Sequence, residues 1–226
     1  MVLPKSRIVT VMLSKPGARI PWCWRDYVQP WLYGFIDDGG RVHTAKYSLF
    51  TFSFLPVGPV FTPEGLGSQN GVWVFRFASA LPWVLEMVSR GVQKSRTVKI
   101  GNAVLKPAVV TEEPLSRRAT YQTGAPVLAA KLKERGFWTP REREFADAVA
   151  RSLTNRWAYL TGNEVSPESI RFEFLGSVRQ KLVQYRGRNL LAFSGIVRLG
   201  APDEMLTFAQ CVGLGQKPSC GFGFII

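Results

Sequence analysis

At 226 residues the chain has room for one large domain or two small ones around a real core. Its 46% hydrophobic and 20% charged content excludes a disordered chain, and no apolar run approaches the ~18 residues that a membrane span requires. An excess of 29 Lys and Arg over 16 Asp and Glu, net +13, points to polyanionic partners, with nucleic acid first among them.

In chain order, Arg7-Ile8-Val9-Thr10-Val11-Met12-Leu13 is β-branched and apolar on both faces, the pattern of a central strand. Between Trp22 and Ile36 the residues Trp24, Val28, Trp31, Leu32 and Phe35 recur at helical spacing. Leu49 to Leu55 alternates three phenylalanines with small polar residues, and Val72 to Phe77 alternates likewise, so two strands follow. Pro82 to Arg90 predicts a second helix, and Thr97 to Val110 one or two further strands. The order β-α-β-β-α-β is that of a ferredoxin-like unit. Lys94, Arg96, Lys99 and Lys106 form an acid-free stretch that reads equally well as a solvated edge.

Glu112 to Pro126 is polar and poor in apolar residues, which places a domain boundary near Arg118 and divides the chain into 1–118 and 119–226. Thr139-Pro140-Arg141-Glu142 predicts a helix start, with Thr as N-cap, Pro in the first turn and Glu as the capping-box partner. Phe145, Val149, Leu153 and Leu160 supply its buried stripe, and Gly162-Asn163 ends it. Ile170 to Phe174 predicts a strand, Val178 to Leu199 a hairpin about Arg186-Gly187-Arg188-Asn189, and Asp203 to Val212 a short helix. The hairpin carries Arg179, Lys181, Arg186 and Arg188 with no acid among them, which alone reads as a solvated edge and beside a phosphate-cradling loop as a basic surface for a nucleic-acid backbone.

The most distinctive stretch is Gly213-Leu214-Gly215-Gln216-Lys217-Pro218-Ser219-Cys220-Gly221-Phe222-Gly223. Outward N–H groups on such a turn, with a lysine, would cradle an anion. A glycine-hinged turn into a terminal strand has the same composition. The P-loop spacing is absent, and the strand-turn-helix context of a dinucleotide fingerprint is missing.

The spacing of Gly213, Gly215, Lys217, Gly221 and Gly223 resembles the C-terminal glycine-rich loop of CRISPR-associated endoribonucleases that cut repeat RNA, members of the RAMP (repeat-associated mysterious protein) superfamily. The resemblance implies an α+β fold of two tandem ferredoxin-like domains, with the glycines and Lys217 binding RNA beside the hairpin. It also implies CRISPR repeat RNA as partner, with other CRISPR-associated effector subunits as further candidates. Monomer and homodimer both stay open.

Cutting RNA through its own 2′-hydroxyl requires a base, an acid for the leaving 5′ oxygen and a positive charge on the phosphate, with no metal or cofactor. His43 is the only histidine and sits in a Gly-rich polar loop. The segment Pro30 to Ile36, then His43, then Leu49 to Ser53 is similar to the family's helix, histidine loop and following strand. That match implies Tyr33 and His43 as the catalytic tyrosine and histidine. Lys46 stands two residues before the position where family members often carry the lysine, which Ser48 occupies here. The expected products are a 5′-hydroxyl and a 2′,3′-cyclic phosphate; the alternative is a non-catalytic superfamily subunit that binds guide RNA. Cys23, Cys211 and Cys220 lack ligand-pair spacing and read as reduced thiols, so no zinc site is expected. Without a signal-peptide pattern the expected compartment is the cytoplasm.

Overall fold

The computed structural model describes residues 7–36, 42, 45–115, 118–131 and 135–226. Strand β1 (Arg7–Ser14) lies at the centre of the first sheet, antiparallel to its neighbours on both sides. After the two-residue β2 (Arg19–Ile20) comes helix α1 (Arg25–Tyr33), then β3 (Phe50–Pro56), β4 (Pro59–Thr62), β5 (Gly65–Ser68) and β6 (Val72–Ser79). Helix α2 (Pro82–Lys94), β7 (Val98–Ile100) and β8 (Ala103–Pro114) complete the first half, whose main sheet has the order β3-β6-β1-β8-β7.

One face of this sheet carries Val9, Val11, Phe50, Phe52, Phe54, Phe75 and Phe77 against Val28 and Leu32 of α1 and Val84, Val88 and Val92 of α2. The period-2 alternation of β3 has a second consequence. Its polar residues Thr51 and Ser53 are buried as well, because the C-terminal half covers the opposite face of the strand. The Thr51 hydroxyl donates to the Phe222 carbonyl at 3.2 Å.

Strands β2, β5 and β4 form a small separate sheet that the sequence pattern does not predict. Pro59 and Gly65 in these short strands look like loop residues, yet Gly65 is required there. A Cβ would stand 2.1 Å from the Ile20 carbonyl oxygen, and its φ is +151°.

The second half repeats the plan with β9 (Thr120–Gln122), α3 (Arg143–Thr161), β10 (Arg171–Tyr185), β11 (Arg188–Gly200) and α4 (Asp203–Val212). The sheet runs β10-β11-β9, and the terminal segment flanks β9 through reciprocal Gln122–Ile226 backbone bonds of 2.7 and 3.0 Å. This is the strand order of the first half, so the chain is two tandem ferredoxin-like units.

Two elements depart from expectation. Helix α3 begins at Arg143, not at Thr139. Residues 139–142 form a turn in which the Thr139 N–H donates to the Glu142 carboxylate at 2.6 Å, the contact expected of a capping-box partner, and Glu142 takes the N-cap position without a side-chain cap of its own. The strand at Ile170 and the first arm of the hairpin are one strand, β10, bent where its register shifts between Leu175 and Arg179 and where Gly176 has a φ of +64°. The hairpin itself closes through Arg186 and Gly187, both at positive φ, a two-residue turn of the kind that matches strand twist.

Candidate active site at the junction of the two halves

The glycine-rich loop leaves α4 and packs onto β3. Its four glycines are buried with positive φ; a side chain would collide at Gly213, Gly215 and Gly223 and would press on the Phe52 ring at Gly221. A Cβ on Gly223 would lie 1.9 Å from the Leu214 carbonyl oxygen, and one on Gly215 would lie 2.5 Å from that of Leu128. Several of the loop's N–H groups are engaged within the protein. Leu214 donates to Gly223, Gln216 to Leu128, Gly221 to Pro218 and Gly223 to Pro126, at 2.8 to 3.0 Å. The Gly213, Gly221 and Gly223 N–H groups thus donate to the protein's own carbonyls. Positive φ is used here to fold the loop against β3 and the 126–128 segment, which turns these amides inward.

What the loop presents outward is Lys217, exposed and in the left-handed conformation at φ +54°. Two buried arginines hold the loop from beneath. Arg156 of α3, 2% exposed, donates to the carbonyls of Val212 at 2.5 Å, Gly213 at 3.0 Å and Gly215 at 3.2 Å. Arg25 of α1, 5% exposed, donates to the Gly221 carbonyl at 3.2 Å and lies between the rings of Trp24 and Phe222. Burial lowers each guanidinium to about 9, so both are charged at neutral pH. Among the described residues none of their hydrogen bonds goes to a carboxylate, so the loop rests on two positive charges.

Tyr33 ends α1, half-buried with its ring edge-to-face on Phe50 at 5.7 Å. Burial raises its pKa above the ordinary phenol value, while hydrogen bonding with Ser219 and Gln29 works in the opposite direction. The phenol is thus protonated at neutral pH and touches the glycine-rich loop at Ser219. The basic hairpin is docked on the same helix. The Arg186 N–H donates to the Asp26 carboxylate at 3.1 and 3.2 Å, and the Tyr185 hydroxyl donates to Gln29 at 2.8 Å.

Two clefts meet at Tyr33, Lys217 and Cys220. The hairpin-side cleft, about 940 Å³, adds Tyr185, Arg186 and Arg188. The helix-side cleft, about 820 Å³, adds Lys46, Tyr47, Lys131, Trp138 and Arg151, with Arg156 in its wall. Among the described residues neither lining includes an Asp or Glu.

Of the residues singled out by sequence, Tyr33, Lys46, Arg186, Arg188 and Lys217 converge on these clefts. Lys46 is exposed, its ammonium 5.4 Å from the centre of the Tyr47 ring. Arg179 and Lys181 are exposed on β10, outside the lining of the two clefts; partial burial of the ammonium, with Arg25 and Arg179 nearby, lowers the pKa of Lys181. His43 lies outside the described residues. Among the described residues no group of three or more His, Cys, Asp or Glu is placed to hold a metal ion.

Sequence reasoning missed Arg25, Arg156, Tyr185 and the α3 wall. Arg156 had a signal: it follows Val149 and Leu153 at helical spacing, so a cation stands on a buried stripe.

Comparison with known proteins places this geometry. The family model described as "CRISPR associated protein Cas6, C-terminal" matches residues 110–226, just over half the chain. The chain belongs to this family. A curated relative, the CRISPR-associated endoribonuclease Cas6 of Pyrococcus furiosus, is 23% identical over 222 residues, covering 92% of this chain and 83% of the relative. Two solved structures share the fold of this Cas6-family chain. One, titled "An RAMP protein binding different RNA substrates", has a TM-score of 0.85 at 16% identity, covering 97% and 98% of the two chains. Another, titled "CRISPR associated protein Cas6", has a TM-score of 0.81 at 18% identity, covering 98% of each.

Proposed function

We propose that this protein is a metal-independent endoribonuclease that cuts CRISPR precursor RNA within its repeats. The observation that carries the reading is the protonated Tyr33 hydroxyl, held beside Ser219 where two basic clefts meet that have no Asp or Glu among their described lining residues. The family and the endoribonuclease named as its relative support it.

In this reading Arg186, Arg188 and Lys217 grip backbone phosphates, and Arg179 and Lys181 extend the positive strip along β10. His43 takes the proton from the 2′-hydroxyl at the cut site, and that oxygen forms a bond to phosphorus. The bond from phosphorus to the 5′ oxygen breaks, and the leaving oxygen takes a proton from the acid of the site. Tyr33, whose raised pKa keeps its proton, acts as hydrogen-bond donor during this step, and Lys46 with Lys217 offsets the phosphate charge. The products are a 5′-hydroxyl and a 2′,3′-cyclic phosphate.

The test is incubation of purified protein with its cognate repeat RNA in EDTA, with mapping of the cut site and end chemistry. Cleavage at one position with a 5′-hydroxyl is the expected result. Tight binding without cleavage would instead make the protein a guide-RNA-binding subunit.

A further inference from the structure

The hairpin-side cleft accounts for RNA on one side of the reacting phosphate, which leaves Trp138, Arg151 and Asn155 in the far part of the helix-side cleft without a role. We propose that the helix-side cleft is a second RNA subsite. There Arg151 takes a phosphate, and the ring of Trp138 takes a base, of the single-stranded segment on the other side of the cut. This deepens the preceding reading and rests on it.

Four observations converge. Arg151 and Asn155 stand one turn apart on the exposed face of α3, and among the described residues the Arg151 guanidinium makes no ion pair. The wall behind them contains Arg156, a buried cation satisfied only by carbonyl and hydroxyl oxygens. Its charge is thus available to an anion in the cleft.

The aromatic side chains are also suited to nucleotides. Trp138 and Tyr47 line the cleft together, Trp138 with the Lys131 ammonium 4.3 Å from its ring centre. Cations alternating with rings make up the surface that binds single strands without reading their sequence. Finally, the two clefts share Tyr33, Lys217 and Cys220, so a strand lying across the reacting position enters by one and leaves by the other. A volume of about 820 Å³ is on the scale of a small-ligand site and takes a few unpaired nucleotides rather than a duplex.

The test uses the whole protein and repeat RNA made uncleavable by a 2′-deoxy sugar at the cut. Affinities would be measured for the intact repeat and for two truncated forms, each lacking the segment on one side of the cut. Arg151→Ala, on an exposed position, should weaken binding of the intact repeat and lower its salt slope by about 1. Trp138→Ala should weaken it by about 5- to 150-fold, the range of base stacking on an aromatic ring. Both variants should bind like wild type to the one truncated RNA that lacks their segment, while Arg188→Ala should become indifferent to the opposite truncation.

Wild-type affinity of Arg151→Ala for the intact repeat overturns the subsite, and so does an equal loss with both truncated RNAs. In either case the nuclease reading stands. Failure of the wild type to bind any repeat RNA removes both.

Discussion

The glycine-rich loop and the basic hairpin both read as RNA-binding surfaces from sequence, yet they are built in opposite ways. The loop is buried at all four glycines, several of its amides are tied to the protein's own carbonyls, and Lys217 is what it offers outward. The hairpin is exposed along Arg179, Lys181, Arg186 and Arg188, while Val183, Leu190 and Ala192 pack inward against Leu128 and Phe222 and its tip is tied to Asp26 and Gln29 of α1. Glycines at fixed spacing therefore mark a backbone that must pass through a tight place. Cations without acids mark a surface that is free to meet a partner. The two signals look alike in a motif and differ entirely in what a mutation would do.

The largest effect is expected at Gly223. Its φ of +69° disfavours any side chain, and a Cβ 1.9 Å from a backbone oxygen has no flexible neighbour to displace. Gly223→Val should lower stability by more than about 3 kcal/mol in denaturant unfolding. A stable, normally folded variant would break the contrast, because the loop would then tolerate what its packing forbids. Next comes Arg156→Met. It removes a charge that holds three loop carbonyls and should lower stability by about 2 kcal/mol, as measured by the same unfolding experiment.

Replacing Tyr33 with Phe keeps the ring on Phe50 and removes the hydroxyl beside Ser219. Single-turnover cleavage should fall at least about 10-fold with RNA affinity unchanged. The phenol pKa is raised above its ordinary value, so the proton stays on throughout the neutral range and is lost only at higher pH than for a free phenol. The ratio of wild-type to variant rates should thus be constant between about pH 6 and 9. A ratio that collapses within that window would mean that Tyr33 ionises there. The smallest stability effect belongs to the hairpin. Arg188→Ala should stay within about 0.5 kcal/mol of wild type in unfolding while lowering the salt slope of RNA binding by about 1.

Much of the fold was legible because local and tertiary signals agree. The three phenylalanines of β3 face their own helices as alternation requires, and Asp203–Val212 forms the expected short helix. The small β2-β5-β4 sheet was not legible, since Gly65 and Pro59 serve a close backbone approach that looks like a turn. Burial of Thr51 and Ser53 was equally hidden, because polar residues on alternate positions predict solvent until a second domain covers them.

The site was legible in part. Tyr33, Arg186, Arg188 and Lys217 came from residue type, position and family likeness, and they meet in space. The glycines carried the resemblance, and their spacing also serves the close backbone packing of the loop. The α3 wall carried no motif, because Arg151 and Trp138 are 13 positions apart and come to line one cleft only through the turn that precedes the helix.

The central claim is the proposal that the cut is made by the RNA's own 2′-hydroxyl, with His43 as proton acceptor. The most direct measurement is single-turnover cleavage, without added metal, by wild type and His43→Ala, with RNA binding measured in parallel. The account predicts a loss of about 10²–10⁴-fold in rate for His43→Ala with affinity unchanged, and no cutting of a substrate carrying a 2′-deoxy sugar at the cut site. Cleavage of the deoxy substrate, or a wild-type rate from His43→Ala, would contradict it.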